Sequence, residues 1–103
     1  MSLSRLQIQD RLEALSDELH VYFQPPASVR LEYPAIVFKV NDYDQKFADD
    51  YLYIKDRSYM ITLIHYDPDN DLIEKLLWAF PKLRFDRPYT SDNLYHYVYV
   101  LYE

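Results

Sequence analysis

The chain has no glycine and no cysteine in 103 residues. Glycine-rich phosphate loops, the dinucleotide fingerprint and the nucleophile elbow all need a residue without Cβ at a tight turn or a close approach. Their absence excludes most nucleotide-binding enzyme classes. Without cysteine there is no disulfide framework, thiolate nucleophile or thiol redox couple, which fits synthesis in the cytosol. Long apolar runs are missing too. No uncharged stretch approaches the ~20 residues that cross a bilayer, and Met1-Ser2-Leu3-Ser4-Arg5-Leu6-Gln7 lacks the apolar centre of a signal peptide. The expectation is a soluble protein without a recognisable export signal. Cations are scarce: 11 Lys and Arg stand against 17 Asp and Glu, for a net charge of -6. A sequence-independent grip on phosphate backbone is therefore not expected.

What the chain does have is apolar and aromatic. Half of its residues are hydrophobic, 17% are aromatic and 12 are tyrosines, a composition that folds around a core. The length suits one domain over residues 1–103. Ile8, Leu12, Leu15 and Leu19 recur at helical spacing behind a Ser4/Gln7 capping box, predicting a helix over about Leu3 to His20. Pro25 and Pro26 end that region, Ala27 to Glu32 reads as a connector, and a strand starts at Pro34. In it Ile36, Phe38 and Val40 alternate with Ala35, Val37 and Lys39. The acid-rich stretch from Asn41 to Arg57 reads as a long loop or protruding hairpin. Tyr59 to Tyr66 reads as a central strand, with Met60, Thr62 and Ile64 on one side and Tyr59, Ile61, Leu63 and His65 on the other. Asp67-Pro68-Asp69 reads as the cap and first turn of a second helix carrying Leu72, Ile73, Leu76, Leu77 and Phe80, stopped by Pro81. Strands over Lys82 to Tyr89 and Leu94 to Tyr102 close the chain as a hairpin. The fold class is α+β: an antiparallel or mixed sheet with two helices packed on one face.

The final strand alternates throughout, so Tyr95, Tyr97 and Tyr99 share one face and Leu94, His96, Val98 and Val100 the other. With Tyr89 placed opposite Leu94, Leu83 and Phe85 fall beside Val100 and Val98 toward the core. Arg84 and Asp86 then lie outside, across from Tyr99 and Tyr97. An outer face of rings and charges reads as a surface kept for a partner.

Chemistry-bearing constellations are weak. His65, Asp67, Asp69 and Asp71 alternate as hard-metal ligands do, but the sixth and twelfth positions of a calcium loop counted from Asp67 hold Leu72 and Trp78. A helix cap with an acidic first turn is the better reading. His20, His65 and His96 lie in separate elements without a nucleophile or second histidine at catalytic spacing, and His96 beside Arg87 reads as a hydrogen-bonded histidine at the core edge. The pairs Asp42 with Asp44 and Asp49 with Asp50 read as solvated or partner-facing rather than catalytic. No catalytic residue, metal ligand or cofactor is expected.

The run Asp67-Pro68-Asp69, Lys75-Leu76-Leu77, Phe85-Asp86-Arg87, Asp92-Asn93-Leu94, His96 and Leu101-Tyr102 resembles a family of minor structural, or minor capsid, proteins encoded by phages and prophages of Gram-positive bacteria. The resemblance extends back through Tyr33-Pro34-Ala35-Ile36-Val37-Phe38-Lys39 and Arg57-Ser58-Tyr59. The chain departs from the family pattern where Asn41-Asp42-Tyr43-Asp44 replaces a loop containing glycine, and where Tyr97 replaces an acidic residue. The family's α+β pattern is similar to the tail terminators of long-tailed phages, a likeness at the level of fold. What the resemblance implies is a non-enzymatic tail-completion protein in the virion, forming a ring, commonly sixfold, at the head-tail junction. Its partners would be other copies of itself, the tail tube and the head connector, with no specific nucleic-acid binding and no membrane. On this reading Tyr95, Tyr97, Tyr99, Arg84 and Asp86 pack between subunits, while Asp42, Asp44, Asp49 and Asp50 face the channel or the tube. A head-completion or stopper protein of the connector is the nearest alternative. An acidic inhibitor that imitates DNA is a further one, disfavoured because Lys and Arg interleave with the acids. A small hydrolase built on His65, Asp67 and Asp69 lacks complementary ligands.

Overall fold

The computed structural model describes residues 4–40, 44–48, 51–56 and 58–102. In chain order its elements are α1 (Arg5–Glu13), β1 (His20–Phe23), β2 (Ala35–Val40), β3 (Asp44–Ala48), β4 (Tyr51–Asp56), β5 (Ser58–His65), α2 (Leu72–Ala79), β6 (Leu83–Ser91) and β7 (Leu94–Tyr102). Five strands form one mixed sheet in the order β1-β2-β5-β7-β6, while β3 and β4 pair only with each other. β1 runs parallel to β2; the remaining neighbours are antiparallel. The protein is thus α+β, with a mixed sheet and two helices. Among the described residues no helix is long and apolar enough to cross a membrane.

α1 starts where its capping box places it. The Ser4 side chain accepts from the Gln7 N–H at 3.2 Å, and the Gln7 side chain accepts from the Ser4 N–H at 2.8 Å. The helix stops at Glu13, short of the expected His20. Ser16 Oγ accepts from the Glu18 N–H, a local turn that competes with helix. The segment from His20 is recruited into the sheet, beginning with the His20 N–H donating to the Pro34 carbonyl at 3.0 Å. Leu19 still reaches the core, from a turn. β1 was hidden in the sequence, because four residues are too few to display a period.

α2 also begins later than its acidic signal. Asp67 Oδ1 accepts from the Asp69 N–H at 2.9 Å, the Asn70 side-chain amide donates to the Asp67 carbonyl, and Asn70 Oδ1 accepts from the Leu72 N–H. Asp67-Pro68-Asp69 is therefore a turn ahead of the helix, and Asp71 occupies the N-cap position without a side-chain cap bond. The helix ends at Ala79, before Pro81.

The absence of glycine leaves the left-handed positions to other residues: Gln24 (φ 43°), Asp92 (φ 51°) and Asn93 (φ 63°). Asp92-Asn93 makes a two-residue turn with both φ positive, which suits the twist of a hairpin and is tolerated best by Asn and Asp among side-chain-bearing residues. The peptide bond between Tyr33 and Pro34 is cis.

The core lies between the helices and one face of the sheet. Ile8 and Leu12 of α1 and Leu72, Leu76 and Phe80 around α2 meet Ile36, Phe38, Tyr59, Ile61, Leu63, Tyr99 and Leu101. Burying each large apolar side chain contributes roughly 1.5–3 kcal/mol. Arg11 ties the helices together, donating to the Ala79 carbonyl at 3.3 Å with its guanidinium 5.8 Å from the Phe80 ring centre. A cation at a helix C-terminus is favourable.

Candidate functional site

The expected outer face of tyrosines is the inner face. Tyr99 is fully buried, and its hydroxyl donates to the Ile73 carbonyl of α2 at 3.2 Å. Burial pushes the Tyr99 phenol up to about 12. Tyr97 packs partly buried against the same core, and its phenol is also raised, chiefly by desolvation. Tyr95 lies two residues further along that face, opposite His65 on β5. Register explains the inversion. Ser91, not Tyr89, stands opposite Leu94, because the turn takes only Asp92 and Asn93, a shift of two residues that by itself leaves each side chain on its face. A bulge at Asp86 then makes Phe85 the partner of Tyr99 and Arg87 the partner of Val98. One extra residue transfers a side-chain set to the other face. Phe85 meets Tyr99 edge to face, with ring centres 5.3 Å apart. Tyr99 therefore cannot pack between subunits.

The face away from the helices is formed by the alternate residues of every strand. Across it run Tyr22 of β1, Val37 and Lys39 of β2, Met60, Thr62 and Ile64 of β5, and His96, Val98 and Val100 of β7. On β6 the same face carries Arg84, Arg87 and Tyr89. Val98 and Ile64 are already 2% and 6% exposed, while Val37, Met60, Thr62, His96 and Val100 are half-buried. Tyr89 stacks on His96 at 4.5 Å with their planes 17° apart, on this face rather than at the core edge. Arg84 is exposed on this face. Asp86 is exposed at the bulge and paired with Arg87. Arg84 and Asp86 thus stay at the surface, but they are not opposite the tyrosines.

Neither edge of the sheet invites another strand. β6 carries Pro88, which lacks an N–H, together with the bulge at Asp86. β1 is four residues long and ends at Gln24 and Pro25. Short strands, proline and bulges are the features that block edge pairing.

The His65 region behaves as a turn support. The His65 Nδ1 accepts from the Asp67 N–H at 2.9 Å, which leaves Nε2 as the protonated nitrogen of the neutral ring. Desolvation holds His65 below its usual value, against the opposing pull of Asp67, Glu18 and Asp71. Among the described residues no group of three His, Cys, Asp or Glu is placed to hold a metal ion. An open concavity of about 420 Å3 runs beside β1, between Glu13, Asp17 and His20, and a second of about 250 Å3 lies at the β6–β7 end by Tyr89 and Tyr95.

The acid-rich stretch includes a hairpin, one of its two expected forms. β3 and β4 pair from Ala48 with Tyr51 back to Asp44 with Asp56, with a register shift between Asp44 and Gln45. Asp44 opens β3. Asp42, Asp49 and Asp50 lie outside the described residues.

Missed by sequence reasoning was the outer ridge of α2. Leu77 is 42% exposed and Trp78 86% exposed, next to exposed Glu74 and Lys75. An apolar residue one position out of phase with the buried Leu72 and Leu76 was the available signal. Compared with known proteins, the chain matches no family model and no curated protein.

Proposed function

We propose that the protein is a structural subunit of the tail-completion type, assembling with copies of itself into a ring at the phage head-tail junction. There it ends the tail tube and faces the head connector, and it performs no catalysis. The observation that carries self-assembly is a half-apolar sheet face without helical cover, on a sheet whose two edges are blunted. Association through faces is the route such a molecule has left. The resemblance of its turn and hairpin motifs to phage minor structural proteins supplies the place.

Charge supports the same reading. A net charge of -6 per subunit keeps a lumen from holding passing DNA. In this account the acidic stretch with Asp42, Asp44, Asp49 and Asp50 faces the channel or the tube. Arg84 and Asp86 remain seam residues; Tyr99 does not. The test is native mass spectrometry over a range of concentrations, with negative-stain images, repeated after adding purified tail tubes. A closed ring with an open centre, free or seated on tube ends, is the expected result. A monomer under every condition that leaves the tubes uncapped overturns the proposal.

A further inference from the structure

We infer that the bare sheet face is covered by the outer ridge of α2 from the next copy of the same chain, in a head-to-tail contact. The inference deepens the ring proposal and rests on it for the biological setting, but the observations that carry it are those of the two surfaces.

The sheet face has the layout of a protein interface: an apolar centre of Val37, Met60 and Val100, with cations Lys39 and Arg84 and the Arg87–Asp86 pair toward its margins. Apart from Asp86, already paired with Arg87, its strand residues carry no carboxylate. That is a cationic rim on a chain of net charge -6. The α2 ridge is its complement. Trp78, 86% exposed, and Leu77 form an apolar crest, and Glu74 with Asp69 in the preceding turn supplies the negative charge. Lys75 lies on the same side, but it pairs with Asp71 at 3.2 Å. An exposed tryptophan with Glu74 one turn away matches an apolar sheet bordered by Lys39 and Arg84 in polarity and, at Glu74 and Asp69, in sign.

Geometry favours the same pairing. In each subunit the helices cover one sheet face and, among the described residues, leave the other without a helical layer, met at its β1 end by the connector whose Glu32 N–H donates to the Tyr22 hydroxyl, so the next copy's helix supplies the missing layer. The two patches differ, which makes the contact heterologous, and repetition then yields a ring where the rotation closes. A single-stranded nucleic acid would prefer aromatic platforms on a basic groove. Here Tyr22 and the Tyr89–His96 stack lie toward the ends of the face, and the centre between Lys39 and Arg84 is aliphatic.

A charge-exchange experiment tests this. One variant carries Arg84→Glu with Arg87→Glu; the other carries Asp69→Lys with Glu74→Lys. Each alone should fail to assemble, because its two contact surfaces have acquired like charge. Mixed, they should assemble in alternation, with one subunit's acidic face on the other's basic ridge, and high salt should weaken the complex. Trp78→Ala should weaken self-association about thirtyfold or more. All the substituted positions are exposed, and circular dichroism verifies that the variants fold.

Assembly of either charge variant at the wild-type concentration overturns the contact while leaving the ring proposal standing on another surface. A folded mixture that stays monomeric while the wild type assembles overturns it too. A wild type that never assembles, even on tail tubes, overturns both. If the wild type binds an oligothymidine and the Arg84→Glu/Arg87→Glu variant does not, the face belongs to nucleic acid, and the inference fails.

Discussion

The two faces of the sheet use similar materials for different ends. Toward the helices stand Ile36, Phe38, Tyr59, Ile61, Leu63, Tyr99 and Leu101, all 2% exposed or less. Away from them Val37, Met60, Thr62, His96 and Val100 are half-buried around the buried Val98 and Ile64, with arginines at the β6 margin. Aromatic bulk goes where the helices leave depth to fill. At the centre of the other face smaller and β-branched residues predominate, with Tyr22 and the Tyr89–His96 stack toward its ends. A tyrosine is compatible with the deep face only if its hydroxyl has a partner, and Tyr99 finds one in the Ile73 carbonyl.

The difference is broken most severely from the deep side. Phe38→Ala and Leu76→Ala should each destabilise the fold by about 3–4 kcal/mol in urea titration, combining lost burial with a cavity. Tyr99→Phe keeps the ring but leaves the Ile73 carbonyl without its donor, and should cost about 1–2 kcal/mol by the same assay. Ser4→Ala, which removes the capping box of α1, should cost about 1 kcal/mol. On the bare face the ordering reverses. Arg84→Ala should alter monomer stability by no more than about 0.5 kcal/mol, and its effect should appear in assembly instead.

Acidity sharpens the contrast further. His65 titrates lower in the folded protein than in the unfolded chain, so below pH 6.5 the unfolded state takes up the proton first. The stability contributed by neutral His65 is whole above pH 6.5. It is lost as pH falls from there through the lowered folded value, and His65→Gln should flatten that part of the profile. Tyr99 acts at the other end. Its phenol is raised from 10.0 to about 12, so its contribution is whole below pH 10 and is lost as pH climbs toward 12. Tyr99→Phe should remove that alkaline slope.

How legible this was from sequence depended on the length of each pattern. β5 and β7 each run eight residues or more, and their alternation placed them well. β2 was divided into its two alternating sets, Ile36, Phe38 and Val40 apart from Ala35, Val37 and Lys39, and the structure puts Ile36 and Phe38 in the core. The Ser4/Gln7 box fixed the start of α1, whereas its end depended on β1 pairing with β2, a tertiary choice that local spacing does not encode. For β7, alternation separated two sets without saying which faces inward, since both are apolar enough to be buried. Turn chemistry alone could not decide it: Asp92-Asn93 as a two-residue turn sets Ser91 against Leu94, a shift of two residues that leaves each side chain on its face. The bulge at Asp86, an unpaired residue in an edge strand, makes the difference, and it lies beyond such reasoning. Of the expected seam, Arg84 and Asp86 stayed on the surface and Tyr99 went to the core. Trp78 was passed over because it was read only as the residue that occupies the twelfth position of a calcium loop.

Trp78 is the chain's one tryptophan, and it allows the most direct test of the central claim that the sheet face of one copy is covered by the α2 ridge of the next. Its fluorescence should be followed while protein concentration rises at low salt. The account predicts emission typical of a water-exposed indole in the monomer, shifting to shorter wavelength and losing access to quencher as copies associate. Association seen by native mass spectrometry without any change in that emission would contradict it.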